Sequence, residues 1–177
     1  MRSSLLLLFL GLIGSAAHAD TSQAKFEEAY TICTAAYADA AEIGPSLVAA
    51  GFEHQPEKID DTETLHWYVT PAGTDVTVLL RTTPLERFCA ISSEEIPLQE
   101  AMQKSWALTT TLFPGASPIQ GDLGGKNILI GSAEGQNESC SGFWVVLGDD
   151  ILWVSGGIAG QDPVCVDNGT SQIMVVM

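Results

Sequence analysis

Two histidines and the acids near them are the first candidates for chemistry in this sequence. A serine hydrolase would need His54 or His66 as its base, because the members of a catalytic triad meet in space and not in sequence. Alternatively, Glu53, His54, Asp60 and Asp61 offer oxygen and nitrogen ligands to a metal ion. The sequence contains neither H-E-x-x-H nor a D-x-D-x-D-G calcium loop. A solvated acidic loop and a packed His66 are therefore the simpler interpretations.

Two glycine-rich segments resemble catalytic loops but depart from them at decisive positions. Gly121–Lys126 has one residue too few for a P-loop, and the residue that follows it is not Ser or Thr. Gly131–Gly135 places Ser132 one position too early for the nucleophile elbow G-x-S-x-G. The sequence therefore predicts no cofactor. A small hydrolase or metal-dependent enzyme built on His54, His66 and nearby acids remains the alternative function.

The cysteines indicate a disulfide framework. The four, Cys33, Cys89, Cys140 and Cys165, form an even set, as is typical of an exported chain with two disulfides. Three pairings are possible, and we expect Cys33–Cys89 and Cys140–Cys165 because each pair ties neighbouring elements within one half of the chain. No C-x-x-C is present, which argues against a thioredoxin-like redox site and against a zinc ribbon.

Two tryptophans are candidate binding residues. Trp144 and Trp153 flank the turn predicted at Gly148, four residues before it and five after it, so they could lie across from each other on paired strands. An exposed pair would favour binding of a ligand or a partner. Packing in the core or between strands is the alternative.

The N-terminus is typical of an export signal. An apolar run at Leu5–Ile13 follows a short positive start, and Ala17–Ala19 fits the small-x-small cleavage rule. We predict a signal peptide over residues 1–19 and a single domain over residues 20–177. Because the apolar run has about nine residues and a membrane span needs about 20, we expect no membrane span and a periplasmic or secreted protein.

Composition and charge limit the classes of partner that the protein is expected to bind. The chain is 46% apolar and 16% charged, enough to build a core and unlike a disordered protein. Its net charge is −15, which disfavours nucleic acid as a partner. We expect a binding or interaction protein without enzymatic activity, whose charge would attract a basic protein.

The elements that position these residues follow from hydrophobic periodicity and turn signals. Helices are predicted over residues 22–41, 46–50 and 97–113. An exposed loop is predicted over residues 53–63, after the second helix. Strands are predicted at Leu65–Thr70, Asp75–Thr82, Arg87–Ser92, Asn127–Ile130, Gly142–Leu147, Ile151–Ser155 and Gln172–Val176. The order α-β-β-β-α-β-β-β-β predicts an α+β fold, mostly antiparallel, with the two main helices packed on one face of the sheet.

Several of these features together resemble a family of small exported α-proteobacterial proteins of unknown function. They are an early helix with Phe26 and Cys33, the step Gly51-Phe52, the strand sequence Cys89-Ala90-Ile91 and an amphipathic helix after it. The resemblance implies a periplasmic setting and no particular activity.

Overall fold

A computed structural model describes residues 13–60, 64–72, 74–83, 87–116, 119–120, 142–148, 150–158 and 171–176. Within them, the helices are α1 (Ile13–Ala35), α2 (Ile43–Ala49) and α3 (Leu98–Leu112), with a 3-10 turn at Ala40–Glu42. The strands are β1 (Glu53–Lys58), β2 (Thr64–Val69), β3 (Thr77–Thr82), β4 (Arg87–Ser93), β5 (Ile119–Gln120), β6 (Gly142–Leu147), β7 (Asp150–Ile158) and β8 (Ser171–Val176).

The strands form one sheet in the order β1-β2-β3-β4-β8-β7-β6-β5. Every neighbouring pair is antiparallel. The predicted α+β class is therefore confirmed. The helices also lie on one face of the sheet as predicted, because their buried residues share a single core with one set of alternating strand residues. We call this side of the sheet the inner face.

The inner face is closed by apolar residues at helical spacing. In α1, Phe26, Tyr30 and Cys33 recur every three or four residues and are fully buried. In α3, Leu98 and Met102 do the same against β7 and β8. Their partners on the strands are Tyr68, Val78, Leu80, Cys89, Ile91, Phe143, Val145, Leu152, Val154, Ile173 and Val175. The inner face is thus a continuous core beneath the helices.

The predicted bridge between Cys33 and Cys89 is present. It joins α1 to β4 with a Cα–Cα distance of 6.0 Å and a sequence separation of 56 residues. Closing a loop of this size stabilises a fold by about 4 kcal/mol in the chain-entropy description. Cys140 and Cys165 lie outside the described residues, so their pairing stays a prediction.

The predicted helix boundaries need correction. The first helix was expected over residues 22–41, but α1 runs from Ile13 to Ala35. The Asp39 carboxylate accepts a hydrogen bond from the Ala41 N–H at 3.3 Å and caps a separate 3-10 turn, so a local cap replaces the last helical turn. Pro45 was expected to precede the next helix, yet it lies in the first turn of α2, where a missing N–H costs no hydrogen bond.

The prediction of a loop over residues 53–63 is wrong for the first half of this segment, which forms a strand. Glu53–Lys58 form β1, the edge strand, and all six residues are exposed as predicted. Charged side chains and Pro56 fit an edge strand, because they discourage further strands from pairing with it. The segment has no apolar alternation, so its sequence gives no strand signal.

The remaining predicted strands within the described residues are present: β6 has the predicted bounds, and β2, β3, β4, β7 and β8 have shifted ends. The helix predicted at 97–113 is α3, preceded by Pro97 at the N-cap. The strand expected at Asn127–Ile130 lies outside the described residues, and β5 is a short strand that was not predicted.

Export of the chain stays a prediction, and two structural observations concern the N-terminal region and membrane spans. Ser22, just after the predicted cleavage site, is buried and its hydroxyl donates to Glu95 Oε2 at 2.6 Å, so α1 is anchored within the predicted mature domain. Among the described residues, no helix combines the length and the apolar character needed to cross a membrane.

Candidate functional site

The side of the sheet opposite the helices, here called the outer face, is the candidate site. Strand residues alternate between the two faces, so the neighbours of buried inner-face residues point to the outer face. In β6, Phe143 and Val145 are buried, whereas Trp144 is half-buried and Val146 is exposed. None of the described helices packs on this face. At the described positions of β6, the outer face is therefore apolar and is open to solvent at Val146.

A row of large residues crosses the outer face. Trp144 of β6 is the register partner of Trp153 of β7, as the spacing around Gly148 predicted. Trp153 is also the partner of Val176 of β8, which in turn pairs with Phe88 of β4. Ile119 of β5 extends the row beyond Trp144. Antiparallel register thus brings residues from five strands into one line.

The most exposed part of this face lies beside the tryptophan pair. Val146 is 51% exposed and Ile151 is 46% exposed, and they are partners in the next register position after Trp144 and Trp153. Val176, 37% exposed, completes the cluster. We call Trp144, Val146, Ile151, Trp153 and Val176 the outer-face patch. Its exposed members are Val146, Ile151 and Val176, and adjoining exposed apolar residues mark interaction sites in many proteins.

Trp144 has an unusual polar atom. Its Nε1 is shielded from solvent and makes no hydrogen bond within the described part of the chain. A buried indole N–H without an acceptor is unfavourable, since folding removes it from water without replacing the lost bond. Trp67, farther along the outer face, differs because its Nε1 donates to Glu57 Oε2 at 2.9 Å. The unsatisfied group therefore coincides with the patch.

Acidic residues border the outer face at β1. Glu53 and Glu57 alternate with the inner-facing positions of this strand and are exposed. Over the whole chain, 22 acids stand against seven Lys or Arg. An apolar surface on a strongly acidic protein complements a partner whose apolar patch is surrounded by positive charge.

The predicted catalytic candidates His54 and His66 are brought together at the other end of the sheet. Their Nε2 and Nδ1 atoms lie 3.0 Å apart on β1 and β2. The metal site considered as an alternative, with Glu53, His54, Asp60 and Asp61 as ligands, does not assemble within the described part of the chain. No group of three His, Cys, Asp or Glu there could hold an ion, and Asp61 lies outside it. Glu53 lies at a position of β1 that faces away from His54.

A further surface feature is a groove along α3. An open groove of about 690 Å³ runs along α3, and no histidine lines it. Its lining residues are Pro97, Gln99, Glu100, Gln103, Lys104 and Ala107. The P-loop-like segment Gly121–Lys126 and the serine segment Gly131–Gly135 lie outside the described residues.

Comparisons of this chain with protein-family models, with curated proteins and with solved structures return no match. Its function must therefore be argued from its own surfaces.

Proposed function

We propose that the protein is a periplasmic or secreted binding protein that engages a basic protein through the outer-face patch. The observation that carries the proposal is the cluster of exposed Val146, Ile151 and Val176 around the paired positions Trp144 and Trp153. In protein interfaces, tryptophan is enriched among the few central residues that supply most of the binding energy, and the contacts around them exclude water.

The charge of the chain supports a cationic partner. The net charge of −15 attracts basic proteins over a range of about 8–10 Å at physiological salt and raises the rate of their association. Binding energy would come from the apolar centre, whereas the acidic surroundings would select the partner.

The proposal is tested by photo-crosslinking from defined positions. A benzophenone amino acid replaces Val146 in one protein and Ile151 in a second, and each is exposed to light in extract from the compartment in which the protein is found. We expect a covalent adduct to a basic protein that weakens as salt rises, since exposed charges are screened. Mass spectrometry identifies the adduct, and calorimetry with the purified partner measures its affinity.

Val48 supplies the matched control. It is also 51% exposed, but it lies on α2 and away from the outer face. A benzophenone at Val48 should give no adduct with the same protein, and Val146→Lys should weaken binding where Val48→Lys does not. Equal adducts from both positions, an acidic partner, or crosslinks only between copies of this chain would each reject the proposal.

A further inference from the structure

His54 and His66 occupy neighbouring places on the hairpin at the sheet edge. In the β1–β2 register, His54 is opposite Tyr68 and His66 is opposite Pro56. The two histidines are therefore diagonal neighbours on the same face of the two strands. They project from different strands, so any group that binds both of them links the edge strand to the rest of the sheet.

The two rings already share one contact. Their planes differ by 17°, their centroids are 5.2 Å apart, and His54 Nε2 lies 3.0 Å from His66 Nδ1. At this separation the rings meet edge to edge, with an N–H of one donating to the bare nitrogen of the other. A single proton bridges the pair.

One metal ion can bind the same two nitrogens once the rings turn toward it. Two imidazole nitrogens bound at about 2.0–2.1 Å to one ion and at right angles to each other lie about 2.9 Å apart. The nitrogens of His54 and His66 are already at 3.0 Å. For an ion to replace this hydrogen bond, both rings turn toward it, and the donating ring moves its proton to its other nitrogen.

Tyr68 holds one of the two ligands in place. Its ring stacks on that of His54 at 4.8 Å with an interplanar angle of 17°. Tyr68 itself is 6% exposed, and its hydroxyl lies so close to Gly44 that a side chain there would collide with it. The ring beneath His54 is thus fixed by α2, which reduces the freedom that His54 must lose on binding.

The two imidazole ligands favour a particular class of ion. Imidazole nitrogen is a good ligand for Cu²⁺, Ni²⁺ and Zn²⁺. Among divalent first-row ions, Cu²⁺ binds nitrogen ligands most tightly. The described residues add no third His, Cys, Asp or Glu to the cluster, so water would complete the coordination.

We propose that His54 and His66 form a two-nitrogen chelate for a late first-row divalent cation, with Cu²⁺ preferred, and that the bound ion clips β1 to β2. The site is independent of the outer-face patch, because the histidines lie on the opposite face of the sheet.

The test uses the full-length chain and CuCl₂ as the probe. Electron paramagnetic resonance should show one Cu²⁺ per chain with splitting from two imidazole nitrogens, and Ni²⁺ and Zn²⁺ should compete less well. His54→Gln and His66→Gln should each weaken Cu²⁺ binding by more than about tenfold, since even changes beyond the ligands cost 10–100-fold. Glu53, an exposed residue of the same strand that faces away from His54, gives the matched control, and Glu53→Gln should leave the affinity unchanged.

A second measurement tests the clip itself. Cu²⁺ should slow amide hydrogen exchange in β1 of the unaltered protein and leave it unchanged in His54→Gln. Thermal melts without metal establish that both variants are folded. The proposal would be overturned if both variants still bind copper, if the spectrum shows splitting from only one nitrogen, or if copper does not change amide exchange in β1.

Discussion

The two faces of the sheet are built from the same kinds of residue and differ in what covers them. On the inner face, Val145 and Leu152 are fully buried beneath the helices. Their immediate neighbours Val146 and Ile151 are about half exposed on the outer face. Each pair of neighbours lies on one strand and has nearly the same chemistry. Apolar composition alone therefore does not separate a core from a binding surface, and the placement of the helices decides which face becomes which.

The sharpest test of this difference replaces two adjacent residues of β7. Leu152→Ala should lower the free energy of unfolding by about 2–5 kcal/mol, because it removes buried contacts and leaves a cavity. Ile151→Ala should cost less than about 1 kcal/mol, because its side chain is 46% exposed and belongs to the sheet surface. Urea denaturation followed by far-UV circular dichroism measures both.

Each alanine variant is the other's control, since both lie on one strand and differ only in the face they occupy. Similar losses for the two would mean that the outer face is packed as tightly as the inner one. The outer-face patch would then be core, and the proposed binding function would lose its basis.

The sequence predicts the inner face well and the site poorly, for physical reasons. Helical periodicity identifies Phe26 and Cys33 as inward-facing, and the turn at Gly148 predicts the register of Trp144 with Trp153. Such signals are local. The meeting of β8 with both β4 and β7 is not local, so the row from Phe88 to Trp144 could not be predicted.

The His54–His66 contact was hidden for a different reason. The sequence of β1 is charged and contains Pro56, so it suggests a loop, and a loop gives no register. The edge strand is defined by its pairing with β2 and not by its own composition. Once that pairing is known, the diagonal placement of the histidines follows directly.

Removing one hydroxyl from a buried pair beneath the helices should have an effect of intermediate size on the free energy of unfolding. Tyr30 and Thr109 link α1 to α3 through a 2.6 Å hydrogen bond between their hydroxyls, and both residues are fully buried. Tyr30→Phe should lower the free energy of unfolding by about 1–2 kcal/mol near neutral pH.

Burial also raises the pKa of the Tyr30 hydroxyl. The unfolded chain then loses this proton near pH 10 while the folded chain keeps it. The contribution of Tyr30 to stability is therefore complete below pH 10 and falls as the pH rises above it. Tyr30→Phe should make the alkaline decline of stability less steep, as measured by urea midpoints at pH 8 and pH 11. Thr109→Val is the control, because it removes the hydrogen bond but keeps the phenol and should keep the steep decline.

The smallest expected effect lies on the outer face, at Trp144. Because its Nε1 makes no hydrogen bond to the described residues, Trp144→Phe removes an unsatisfied buried donor together with some apolar area, and these changes oppose each other. We expect the free energy of unfolding to change by less than about 1 kcal/mol. Trp67→Phe is the comparison, because it sacrifices the hydrogen bond to Glu57 and should be the more costly of the two. A loss above about 2 kcal/mol for Trp144→Phe would show that this indole stabilises the fold as an inner-face residue does, and the distinction between the two faces would fail at the centre of the patch.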